Sequence, residues 1–78
     1  MKTDKSTKLK LAKKIGNAIK FYRVKNNLSQ ETLAFDIGID RTYIGALEQG
    51  AKCASVYCLY KLSQALEVDL KDLFDFKI

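Results

Sequence analysis

Residues 29–50 read SQETLAFDIGIDRTYIGALEQG, two short apolar stripes separated by a glycine. Ser29 is placed to cap a helix whose inward residues are Leu33, Ala34 and Ile37, because its hydroxyl can take up a backbone N–H that the first turn leaves unpaired. The stripe stops at Gly38, which suits the left-handed position after a helix, where a side chain costs about 1 kcal/mol. Asp40 then caps a second helix that turns Ile44 and Leu47 inward, and Gly50 terminates it. The spacing predicts helices over 30–37 and 41–49. Two helices this short, joined by so tight a turn, cannot both lie flat on one core and must cross steeply.

That crossing is the helix-turn-helix arrangement, with Ala34 as the small residue where the second helix presses on the first. Upstream, Leu11, Ile15, Ala18, Ile19 and Tyr22 recur at three- and four-residue steps and predict a first amphipathic helix from about Leu9 to Asn26 and Asn27. Downstream, Ser55 caps a helix with Val56, Leu59, Leu62, Ala65 and Leu66 as its apolar face, and Asp69 caps a short fifth helix through Leu70, Leu73 and Phe74. No segment sustains the alternation of a strand. The expectation is a compact all-α, five-helix domain over residues 9–78, preceded by a mobile basic arm over residues 1–8.

The chain has 78 residues, 47% of them hydrophobic, which is enough for one core and too little for two domains. Charge is uneven: residues 1–26 carry nine Lys or Arg and one Asp, whereas residues 27–78 carry five against eight acids. There is no His, Trp or Pro. Imidazole-based catalysis and the usual imidazole metal ligands are thereby excluded, and the scattered carboxylates have no spacing that pairs two of them in a cleft. Neither an enzyme, a metal site nor a cofactor is expected. Cys53 and Cys58, five apart with no third ligand, read as reduced thiols, small apolar residues in or near the core rather than redox sensors. No apolar run approaches the ~20 residues of a membrane span, and the basic N-terminus lacks the apolar stretch of a secretory signal, so a cytoplasmic location is expected.

The stretch LSQETLAFDIGIDRTYIGALEQG followed by LYKLSQALEVDLKDLF resembles the Cro/C1-type (XRE) helix-turn-helix family of transcriptional regulators. The likeness covers about Ile15 to Phe74. It is carried by Ser29-Gln30, Leu33-Ala34, Gly38, Ile44, the Leu47-Glu48-x-Gly50 ending, and Ala65 to Val68 before the last Asp-Leu helix. It implies a Cro/C1-repressor-like DNA-binding domain, with the motif at about 29–49 and a C-terminal dimerisation segment at about 56–78. Many members carry Pro shortly before the fourth helix, where this chain has Ala54. The string Asp40-Arg41-Thr42-Tyr43-Ile44 is similar to controller proteins of restriction-modification systems, while phage repressors and antitoxin-type regulators share the scaffold.

Helix geometry assigns roles without the resemblance. The N-terminal part of the second helix of such a pair enters the major groove, so Arg41, Thr42, Gly45 and Ala46 are the residues able to reach base edges. Arg41 can pair bidentately with a guanine, and Thr42 can hydrogen-bond or pack on a thymine methyl. Arg41 could alternatively pair locally with Asp40 or Glu48. Gly45 and Ala46 offer almost no side chain, which predicts thin direct readout and a larger share for DNA shape. Gln30, at the positive end of its helix, suits a backbone phosphate, as the resemblance also implies. Tyr43 and Lys52 flank the reading helix, and Lys13, Lys14 and Arg23 could add phosphate contacts from the first helix, whose other face is rich in lysine. Glu48 would be repelled by DNA; the resemblance makes it a structural acid that pairs with Arg23.

One reading helix covers too few base pairs for useful affinity, so a homodimer spanning two half-sites is expected. Leu70, Leu73, Phe74, Phe76 and Ile78, with Tyr57 and Tyr60 of the fourth helix, supply an apolar surface for it. The partners expected are a double-stranded DNA operator, a second copy of the chain and RNA polymerase, with no membrane and no small-molecule ligand. The competing class is a protein-docking module for which DNA is incidental; steep weakening of binding with salt separates the two, because phosphate contacts release counterions.

Overall fold

The computed structural model describes residues 4–77. Its order is α1 (Lys5–Lys25), α2 (Gln30–Ile37), α3 (Arg41–Glu48) and α4 (Val56–Ala65), closed by a 3-10 helix over Leu70–Phe74. Ile19, Leu33, Ala34, Ile37, Ile44, Leu47, Leu59, Leu62, Leu66 and Leu73 form one core from all five elements. The caps fall where the sequence sets them: Ser29 Oγ accepts from Thr32 N at 2.9 Å, Asp40 Oδ1 from Thr42 N at 2.7 Å and Ser55 Oγ from Cys58 N at 3.1 Å. Gly38 is left-handed at φ 73°, and its neighbour Ile39 returns an N–H to Ala34 O at 3.0 Å, which ends α2.

The structure departs from the sequence reading in four places. Among the described residues there are four α-helices, not five, because the last element is 3-10. Its five residues cannot propagate a 3.6-residue helix, and the tighter winding stacks Leu70 and Leu73 on the same side, with Leu73 fully buried. The first helix starts at Lys5, so residues 5–8 belong to it and not to a mobile arm. Asp4 Oδ1 accepts the Thr7 N–H at 2.9 Å, a cap that precedes any apolar periodicity; the same N–H holds the Asp4 carboxyl below its usual range. Residues 1–3 of the expected arm lie outside the described residues. Val56, on the apolar face by its spacing, is 71% exposed, since it opens α4 one turn before the helix reaches the core at Leu59. Cys53 is exposed, whereas Cys58 packs against the core, where burial pushes its thiol up despite Lys61 nearby.

The inward row of α1 is Ala12, Gly16 and Ile19, while Leu9 and Leu11 are 61% and 37% exposed. Gly16 explains this rotation. A Cβ there would collide with the carbonyl oxygen of Leu47 and lie 2.8 Å from that of Glu48, so α1 rests its backbone directly on the C-terminal end of α3. Gly50, left-handed at φ 76°, continues the contact, with the Lys13 Cα 2.9 Å from where its Cβ would stand.

A single carboxylate locks three helices. Glu48, 6% exposed, receives Arg23 Nε at 2.6 Å, Arg23 Nη2 at 3.1 Å and Gln30 Nε2 at 3.0 Å. Arg23 Nη1 also donates to Leu28 O at 2.7 Å, closing the α1–α2 turn. The fork matches both carboxylate oxygens and leaves neither charge unpaired, which is the condition under which a buried pair is tolerated. Asn26 Nδ2 bridges Tyr22 O at 2.8 Å and Leu66 O at 3.0 Å, tying the ends of α1 and α4.

Two thermal-denaturation results are expected. Gly16→Ala should lose about 3 kcal/mol or more, because backbone cannot move aside. Gly38→Ala, with nothing within 4 Å of the added Cβ, should lose only about 1 kcal/mol from its positive φ. Glu48→Gln should cost about 3 kcal/mol, the low end for breaking a buried pair, since Arg23 keeps the Leu28 carbonyl. Urea titration would detect the loss as a lower midpoint at unchanged slope.

Candidate nucleic-acid interface

The packed α2–α3 pair presents the N-terminal end of α3 outward. Arg41 and Thr42, its first two residues, are both exposed. Arg41 does not take the local pairing open to it: Arg23–Glu48 is the one ion pair among the described residues, and the Asp40 carboxylate is turned to the Thr42 N–H. Its guanidinium is left to meet an external acceptor. Gly45 and Ala46 are half-buried, and the missing Cβ of Gly45 would stand 3.7 Å from Gln30 Oε1. The carboxamide of Gln30 therefore leans across the glycine toward α3.

That position revises the sequence reading of Gln30. One amide hydrogen of its side chain is committed to Glu48, so the residue joins the clamp and has only its second N–H and its carbonyl oxygen for anything outside. Arg23 is committed more fully. Three of its five N–H groups go to Glu48 and Leu28 and its side chain is only 13% exposed, so its first role is in the clamp, with one N–H each on Nη1 and Nη2 left over. Glu48 does not face outward.

The lysines separate into two groups. Lys52 is exposed in the loop after α3, and Lys13 is exposed where the backbone of α1 touches Gly50. Lys14 is not with them. It lies about 160° around α1 from Gly16 and lines a crevice with Phe21, Asp72, Asp75 and Phe76, so it is removed from the DNA-flanking set. Tyr43 is half-buried and packed against the core, which leaves only its hydroxyl end for a contact. Gln49 was missed by sequence reasoning: it is exposed at the end of α3, on the row of Thr42 and Ala46. The three- and four-residue steps from Thr42 would have found it.

The apolar C-terminal surface also narrows. Tyr57 and Tyr60 are 71% and 50% exposed and Phe74 is 43% exposed, but Leu73 is 0% exposed and belongs to the core, so it cannot serve an interface. Leu70 is half-buried against the core, Phe76 turns toward the crevice beside α1, and Ile78 lies outside the described residues. A cleft lined by Leu11, Ile15, Val56, Leu59 and Phe74 continues the exposed patch across α1 and α4. Among the described residues, no group of acidic, Cys or His side chains is arranged to hold a metal ion, and no helix is long and apolar enough to cross a membrane.

The helix-turn-helix family matches residues 19–73 of this chain. The control protein C.BamHI of Bacillus amyloliquefaciens is 48% identical over 52 residues, 67% of this chain and 64% of the relative, so the match spans just under two thirds of that protein. Among solved structures, the restriction-modification controller protein C.AhdI from Aeromonas hydrophila superposes with a TM-score of 0.78 at 40% identity, covering 81% of this chain and 96% of that one. The controller protein C.Esp1396I, solved as a tetramer in complex with its natural 35 base-pair operator, superposes at 0.75 with 31% identity, over 83% of this chain and 86% of that one. With these matches spanning both the α2–α3 pair and the helices that hold it, the chain belongs to the Cro/C1-type (XRE) helix-turn-helix family of DNA-binding transcriptional regulators.

Proposed function

We propose that this protein is a sequence-specific regulator that binds a palindromic double-stranded operator as a homodimer, controls its own promoter, and serves as the controller of a restriction-modification system. The observation that carries the reading is the exposed, unpaired Arg41 beside Thr42 at the N-terminus of a reading helix whose rear end is clamped through Glu48. A guanidinium held on a rigid helix end can take guanine O6 and N7 together, and Thr42 can meet the next base. Gly45 and Ala46 let the helix approach closely and contribute little chemistry of their own, so base pairs between the contacted positions are read through DNA shape. Gln30, Tyr43, Lys13 and Lys52 set the register on the phosphates.

Pairing supplies what one reading helix lacks. Val56, Tyr57, Tyr60 and Phe74 form an apolar patch on the side where α4 meets the C-terminal helix, and a two-fold axis through it would bury them against themselves. The likeness to C.BamHI, C.AhdI and C.Esp1396I supports the controller reading over a phage-type or antitoxin-type repressor, as does the Asp40-Arg41-Thr42-Tyr43-Ile44 string. Operator occupancy in the cytoplasm would then either block RNA polymerase or recruit it, according to where the operator lies.

The test is a competition mobility shift with DNA from upstream of the gene against a scrambled duplex. The unaltered protein should prefer its own promoter, and Arg41→Ala should lose about 1–3 kcal/mol of that preference for each guanine contacted while retaining non-specific binding. Equal affinity of the unaltered protein for both duplexes would move the weight to a protein-docking role.

A further inference from the structure

The stripe of α1 that seats on α3 does not stop where α3 ends. Ala12 and Gly16 carry the contact; one and two turns upstream the same stripe presents Leu9, Lys8 and Lys5, which overhang the loop Gly50–Cys53. Lys5, Lys8 and Lys52 thereby converge on one open trough floored by Leu9, Ala12 and Ala51, and no carboxylate lines it. None of the three lysines is in an ion pair among the described residues.

This arrangement works against the isolated protein. Lys5 and Lys8 lie in the first turn of α1, where the nearest acid is the N-cap Asp4, whose carboxylate is turned to the Thr7 N–H and pairs with neither lysine, so two like charges three apart still add to the positive end of the helix dipole. Lys52 brings a third from the loop. An external polyanion would remove the repulsion, and an open trough suits an extended phosphate chain better than a small enclosed ligand. It lies at the C-terminal end of α3 and includes Lys52, so it continues the flank of the reading helix.

We propose that Lys5, Lys8 and Lys52 form a phosphate trough that grips the DNA backbone beyond the major-groove site, making the start of α1 part of the DNA-binding surface. This rests on the DNA-binding reading above and adds to it a sequence-independent contact on a folded helix. Because it touches only phosphates, it raises affinity for operator and random DNA alike and leaves their ratio unchanged.

The test measures log affinity against log salt for the full chain on promoter and scrambled duplexes, comparing Lys5→Gln/Lys8→Gln with the unaltered protein. Gln keeps the helix propensity and removes the repulsion, so folding should be undisturbed. Loss of two phosphate contacts per protomer in a dimer should lower the slope by about 3 to 4, with the promoter-to-scrambled ratio held. Lys25→Gln/Lys71→Gln removes the same net charge away from the trough and should leave the slope as it was. An unchanged slope in the Lys5/Lys8 variant, or an equal drop in both variants, overturns the trough while leaving the DNA-binding reading intact. A salt-independent affinity of the unaltered protein overturns both.

Discussion

Everything that the reading helix can do depends on the burial of one carboxylate. Glu48 sits at the end of α3 where α1 lies close enough to touch backbone, and it gathers Arg23 from α1 and Gln30 from α2 onto its two oxygens. Replacing such a pair by apolar residues often costs a protein nothing in stability, so its value lies in geometry. A carboxylate that accepts from two helices in fixed directions sets the rotation of α3 as well as its position, and rotation determines which residues face outward. Gly16 makes this possible, because any side chain there would hold α1 off and put Arg23 out of reach.

The consequence is a division of labour among polar side chains. Arg23 and Arg41 have the same chemistry, yet one is enclosed by Glu48 and Leu28 while the other stands unpaired in solvent. The first holds the frame and the second is presented by it. Gln30 belongs to both, with one N–H in the clamp and the rest of the amide beside Gly45. Charge follows a similar pattern: acidic side chains collect by the C-terminal helix at Asp72 and Asp75, and the lysines of the first turn of α1 and of the α3–α4 loop share a trough without an acid.

Much of this was legible in the sequence because it is local. Ser29, Gly38, Asp40 and Ser55 punctuate the chain through hydrogen bonds and dihedral limits that reach at most a few residues, and α2, α3 and α4 begin at those caps. What failed was tertiary. Asp4 caps a helix whose first turn has no apolar period to announce it, and nothing in the spacing around Gly16 marks it as the point where two backbones touch. Leu73 reads identically whether it closes a core or covers a partner, and only the 3-10 winding that turns it inward distinguishes the two. The resemblance supplied the Arg23–Glu48 pairing, which periodicity alone could not have given, and coordinates were needed to show that most of the guanidinium is committed to it.

On the proposed homodimer, α3 of each of two copies reads one half-site of a single operator. Footprinting of the DNA upstream of the gene tests it most directly. Protection is expected in two symmetric patches whose centres lie about 34 Å apart, one turn of the duplex, on a pseudo-palindromic sequence. A single unsymmetric patch, or uniform protection without sequence preference, would contradict it.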